Sequence, residues 1–128
     1  MKKKKTVLVV ENEMPTAMMV TSLLTQAGFD VQVATKGHKG LEIARERKFD
    51  LILLNTCPPD ISGLKICTDL KQRHISYQTP IIFLSDQHGE QYHEQALELG
   101  AADFIEKPFD AKDFVSRILS VVEETALG

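Results

Sequence analysis

The strongest constraint on the fold is a set of short aliphatic runs, each of which stops abruptly at a polar residue. The central one, Leu51-Ile52-Leu53-Leu54, runs into Asn55 and then Thr56-Cys57-Pro58-Pro59-Asp60-Ile61-Ser62-Gly63. Four consecutive aliphatic residues are too few for a helix and suit a strand buried on both faces, as in a parallel sheet. Two prolines and a glycine extend neither kind of element, so they mark a loop leading into a helix near Gly63. Thr6-Val7-Leu8-Val9-Val10 ends in the same way at Glu11-Asn12-Glu13, and Ile81-Ile82-Phe83-Leu84 ends at Ser85-Asp86. In an open parallel sheet, ligand chemistry sits at the carboxyl ends of the strands, which is where these polar residues fall.

The segments between the runs read as helices. Pro15 suits the first turn of a helix over about 15 to 27, with Ala17, Val20, Leu24 and Ala27 on one face and Gly28 closing it. Asp30-Val31-Gln32-Val33-Ala34 alternates apolar with polar and reads as a half-exposed edge strand. A second helix of about 37 to 48 places Leu41, Ile43 and Ala44 inward, and a third spans about 63 to 73. A fourth, about 89 to 99, stops at Gly100, and a short strand Asp103–Glu106 precedes Lys107-Pro108. The last helix has Asp110 as N-cap and Asp113 three residues on, with Phe114, Ile118, Val121 and Val122 inward. Five strands alternating with five helices give an α/β doubly wound parallel sheet, a flavodoxin-like (βα)5 fold. With strand order 2-1-3-4-5, its crevice lies between the first and third strands, where Glu11, Asn12, Asn55, Ser85 and Lys107 should converge.

Composition narrows the function classes. At 128 residues, one domain over 1–128 is expected, with its core at about 6–123 and a basic tail at 1–5. The 43% hydrophobic and 26% charged fractions are those of a soluble globular protein, and no apolar run approaches a membrane span. Lys2 to Lys5 are followed by no apolar segment of signal-peptide length, so a cytoplasmic location is expected. The net charge of -3 gives no general pull toward nucleic acid, and none is expected to bind this domain. Cys57 and Cys67 make no disulfide framework; Cys67 shares its spacing with Leu64 and Leu70 and reads as a small core residue. His38, His74, His88 and His93 show no i, i+4 pairing of a helical metal site and read as surface histidines.

At this point the chain resembles the receiver domain of bacterial two-component response regulators, from about Thr6 to Val122. The resemblance is carried by Val7 to Glu13, Asp50 to Gly63, Pro80 to Ser85, and Leu99-Gly100-Ala101-Ala102-Asp103-Phe104-Ile105-Glu106-Lys107-Pro108-Phe109. Receivers take a phosphoryl group from a histidine kinase onto an aspartate at the end of the third strand, a position the resemblance assigns to Asn55. It assigns the paired acidic magnesium ligands to Glu11 and Asn12, the hydroxyl residue to Ser85, the lysine to Lys107 and the rotating aromatic to Phe104. It also implies a cis peptide between Lys107 and Pro108.

Here the chain departs from the pattern. Phosphoryl transfer to a receiver needs an anionic carboxylate oxygen as nucleophile and a divalent cation to neutralise the developing charge. The Asn55 amide supplies no such oxygen. Magnesium prefers hard, charged oxygens, and the family's three carboxylates are reduced to Glu11, with Glu13 a weak substitute, so magnesium is expected to be absent or weak. Lys107 can pair with Glu11 while the Asn55 amide donates and accepts nearby, a cluster that requires no metal. Asp86 stands where the family has a small residue, and its carboxylate would repel a phosphoryl group. A single aspartate-to-asparagine change would not account for Asn12, Pro58 and Asp86, so the departure reads as natural.

The expected function is therefore a pseudo-receiver: a non-enzymatic protein-interaction module of a phosphorelay, uncoupled from phosphorylation. It would contact a histidine kinase or an output or regulatory protein through its fourth helix, fifth strand and fifth helix, a face that could also support a homodimer. The alternatives are a receiver that is phosphorylated on Asp60 or Asp86, and a small-ligand sensor using the vacated pocket. No glycine-rich phosphate loop supports the latter.

Overall fold

The computed structural model describes residues 3–55, 60–72, 79–86 and 90–127, so the readings at Cys57, Pro58, His74 and His88 lie outside the described residues. The elements are β1 (Thr6–Val10), α1 (Met14–Gln26), β2 (Asp30–Ala34), α2 (Gly37–Glu46), β3 (Leu51–Asn55), α3 (Gly63–Gln72), β4 (Ile81–Ser85), α4 (Glu90–Glu98), β5 (Asp103–Glu106) and α5 (Ala111–Leu127). All strand pairs are parallel, and the sheet order is β2-β1-β3-β4-β5.

The period of two along each strand sends alternate side chains to opposite faces of the sheet, and both faces are covered. Leu8, Val10, Ile52, Leu54, Phe83 and Phe104 pack on the side of α2, α3 and α4, against Leu41, Ala44, Ile66, Leu70 and Ala96. Val7, Val9, Leu51, Leu53, Leu84 and Ile105 pack on the other side, against Val20 and Leu24 of α1 and Phe114 and Ile118 of α5. Every residue of β3 and β4 is buried, whereas β2, at the edge, buries only Ala34. Each fully buried large side chain, such as Leu53 or Phe114, contributes roughly 1.5–3 kcal/mol. Cys67 is fully buried among the apolar residues of the first face.

Local chemistry sets where the helices begin and end. Gly28 and Gly100 follow α1 and α4 with φ of 98° and 97°, the left-handed conformation that glycine adopts without a Cβ penalty. Asp110 Oδ2 accepts from the Asp113 N–H at 2.9 Å and caps α5. The cap of α2 comes from a distant loop, because Asp60 accepts from the N–H groups of Gly37 (2.8 Å) and His38 (2.9 Å), one with each carboxylate oxygen. A Cβ on Gly37 would collide with the Ile61 side chain, so glycine is what lets that loop close on the helix.

The helix expected over 37 to 48 ends two residues early. Arg47 takes an extended backbone (φ -136°, ψ 148°), donates to Gln32 Oε1 at 2.6 Å, and lays its guanidinium 4.9 Å from the ring of Phe49. Continuing the helix would keep Phe49 out of the core, where it is 3% exposed. Among the described residues no helix is long and apolar enough to cross a membrane.

Candidate functional site at the strand ends

Strand alternation places Glu11, Asn12, Asn55, Ser85 and Lys107 at the carboxyl ends of β1, β3, β4 and β5, with Glu11 1% and Asn55 6% exposed and Ser85 fully buried. Backbone bonds fix the flanks of this group, from the Glu11 N–H to the Ala34 carbonyl at the end of β2 at 3.0 Å and from the Lys107 N–H to the Ser85 carbonyl at 2.8 Å. The Lys107–Pro108 peptide is cis.

Glu11 is the hub. Its Oε1 lies 2.7 Å from Lys107 Nζ. Its Oε2 accepts from Asn55 Nδ2 at 2.9 Å and from the Glu13 N–H at 3.1 Å. Asn55 Nδ2 also donates to Asn12 Oδ1 at 2.6 Å. Glu13 and Asp86 form a looser outer ring, with oxygens 3.5 Å and 3.7 Å from the same ammonium. Burial alone would lower the Lys107 pKa, but the hydrogen bond and charge of Glu11, helped by Asp86 and Glu13, outweigh it and hold the ammonium above its ordinary range. A cavity of about 350 Å³ opens beside this cluster, lined by Thr16, Met19, Asp86, Lys107, Pro108 and Phe109.

A magnesium ion would need several hard oxygens in near-octahedral array. Here the one buried carboxylate has both oxygens committed, and the next nearest carboxylates face the lysine. Among the described residues no group of three His, Cys, Asp or Glu could hold a metal ion. Among the described residues the donors at these strand ends do not fit magnesium. Nor does Asn55 provide a carboxylate at the end of β3.

Phe104 lies on the α4 side of β5 and is 2% exposed. Its ring is stacked on His93 (centroids 5.0 Å apart, planes at 15°) and tilted against Tyr92 and Phe83 at 6.3 Å each. His93 is therefore not the plain surface histidine that its spacing suggested; it is half-buried as one wall of an aromatic cluster. Two further residues have structural roles that the sequence did not show. Asp60 is tied to α2, as described above. Arg117 of α5 binds Asp103 through two nitrogens at 2.9 and 2.6 Å and donates to the Phe104 carbonyl at 3.0 Å. Only the i, i+4 spacing of Asp113 and Arg117 hinted at this, and that pair is the longer one, at 3.6 Å.

The family model for the response regulator receiver domain matches residues 7–119. The phosphate regulon transcriptional regulatory protein PhoB of Pseudomonas aeruginosa is 35% identical over 124 residues, 97% of this chain and 54% of that protein. The chain spans about half the length of the curated relatives it matches. Among solved structures, the CheY-like receiver domain protein from Methanospirillum hungatei superposes with a TM-score of 0.90 at 20% identity, covering 97% of this chain and 98% of that one. The receiver domain of sensor histidine kinase PA1611 from Pseudomonas aeruginosa, solved with magnesium in its active-site cleft, gives 0.84 at 20% identity, covering 94% and 99%. At these identities the structural likeness is one of fold.

Proposed function

The chain belongs to the response regulator receiver domain family, and from that premise we propose that it serves a two-component pathway as a docking domain whose working surface does not depend on phosphorylation. The observation that carries the reading is the Asn55 amide at the end of β3, donating to Glu11 and Asn12 where a nucleophilic carboxylate would be needed. Lys107 then supplies the positive charge that pairs with the buried Glu11 carboxylate. The PA1611 receiver holds magnesium in its cleft; this chain, on our reading, keeps no resident divalent ion and is not an enzyme.

The two carboxylates offered above as alternative acceptors have other engagements. Both oxygens of Asp60 hold the start of α2, and backbone donation from His38, against the opposing effect of burial and with further donation from Gly37, keeps its carboxyl below the usual range. Asp86 lies beyond the end of β4 and faces Lys107. For the docking surface we propose α4, β5 and α5, with a kinase or an output or regulatory protein as partner. Leu97 of α4 is 46% exposed there, and the β5 edge is closed by side chains: the Phe104 N–H donates to Asp103 at 2.8 Å and its carbonyl accepts from Arg117. A partner would dock on side chains rather than add a strand. The cytoplasmic location belongs to the same proposal.

The test is incubation with acetyl phosphate and magnesium followed by intact-mass measurement. No added phosphoryl group is expected, and an adduct on any residue would refute the reading.

A further inference from the structure

We propose that the outer edge of β2 is a self-association surface: two copies of this chain pair their β2 strands antiparallel across a two-fold axis at Gln32, joining the two sheets into one.

The parallel ladder fixes which backbone groups of β2 are already committed. Asp30, Gln32 and Ala34 turn theirs toward β1, a phase set by the Asp30 N–H on the Lys5 carbonyl at 2.9 Å and the Glu11 N–H on the Ala34 carbonyl at 3.0 Å. Successive residues of a strand direct their N–H and C=O groups to opposite sides, so those of Val31 and Val33 point away from the sheet. β2 pairs only with β1, and among the described residues no hydrogen bond reaches the Val31 or Val33 backbone. The opposite edge is treated differently, because at β5 the Phe104 N–H and carbonyl are taken up by Asp103 and Arg117. Nor does β2 carry the usual guards of an exposed edge. It has no proline, lysine or bulge, and its one charge, Asp30, stands at its first residue.

The strand is complementary to itself. With Gln32 on the axis, Val31 of one copy stands opposite Val33 of the other, and each such pair exchanges both N–H to C=O bonds. All the outward groups of Val31 and Val33 are then satisfied. A slip of one residue would instead set them against residues already bonded to β1. Val31 and Val33 are half-buried at the rim of the apolar layer under α1 and α5, so pairing joins two rims into one stripe. Charge agrees with the same register. Exposed Asp30 comes opposite Ala34 of the second copy, two residues short of that copy's exposed Lys36, whose backbone is still extended (φ -124°, ψ 144°). Opposite charges on that diagonal attract across the axis, once at each end of the paired segment.

The test is sedimentation equilibrium of the full chain from micromolar to millimolar concentration, with amide exchange followed by NMR over the same range. The mass should rise toward that of a dimer. As it does, the Val31 and Val33 amides should exchange several-fold more slowly, while those of Asp30 and Gln32, already bonded to β1, stay constant. Val33→Pro removes a donor that the fold does not use and should give a folded monomer. Asp30→Lys should weaken association several-fold, and Lys36→Asp added to it should restore it. A chain that is monomeric throughout overturns the proposal, as does a dimer that survives Val33→Pro, which would place the contact on another face such as α4 and α5. If Val33→Pro does not fold, unprotected valine amides in the dimer, or association indifferent to the charge exchange, overturn it instead. Phosphoryl uptake plays no part in these readouts, so this proposal and the functional reading fail separately.

Discussion

Glu11, at 1% exposure, keeps company with one cation and two neutral donors, and that arrangement explains why Lys107 matters more than a surface lysine would. Removing one partner of a buried pair leaves the other's charge uncompensated, so Lys107→Met should cost about 3 kcal/mol in denaturant unfolding at unchanged slope. Pairing it with Glu11→Gln should recover much of that loss, because no lone charge then remains. The pH dependence follows from the sign of the shift. A lysine whose pKa is raised on folding contributes its full stability below the unfolded value and loses it as pH rises through the folded value. The gap between native protein and Lys107→Met should therefore be flat through neutrality and close only at strongly alkaline pH. At this scale the sequence was informative about Glu11 and Asn55, because each follows directly on an apolar run, and about Lys107, which follows the short strand Asp103–Glu106. It read His93 as a surface histidine and Asp60 as an alternative acceptor, because their contacts depend on rings and backbone N–H groups brought together across the chain.

Among the elements, helix ends are where local chemistry is most exposed to test. Gly100 closes α4 at φ 97°, and Gly100→Ala should cost roughly 1–2 kcal/mol from backbone strain alone. Its Cβ would meet only the Lys71 side chain, at 3.6 Å or beyond, so crowding adds little. Asp60→Ala should weaken α2, seen as faster amide exchange over Gly37 and His38. Because that carboxyl's pKa is depressed on folding, its contribution is present above the unfolded value and disappears as pH falls through the folded one. The strands were legible because a sheet buried on both faces demands unbroken apolar runs, and β2 declared itself an edge by alternating. The end of α2 was not, because the pull of Phe49 into the core overrode a periodicity that continued past Glu46. Nor was its cap, which is supplied by a residue 23 positions away.

For the molecule as a whole, the parallel order β2-β1-β3-β4-β5 brings four strand ends to one crevice and leaves β5, with α4 and α5 beside it, at the opposite edge from β2. The same sheet thus carries the buried Glu11–Asn55 cluster at its strand ends and, on α4, an exposed leucine, Leu97. Family membership makes the scaffold that of a response regulator receiver domain; at its strand ends stand the Asn55 amide and the Lys107 ammonium, each bonded to Glu11. The most direct measurement of that claim is the Asn55 side-chain amide by NMR during titration with magnesium and then beryllofluoride. Both amide protons should hold their positions through millimolar concentrations of each, reporting bonds to Glu11 and Asn12 that nothing displaces. A saturable shift of those two protons, with loss of the Lys107 contact to Glu11, would mean that the pocket takes up a metal or phosphoryl analogue after all.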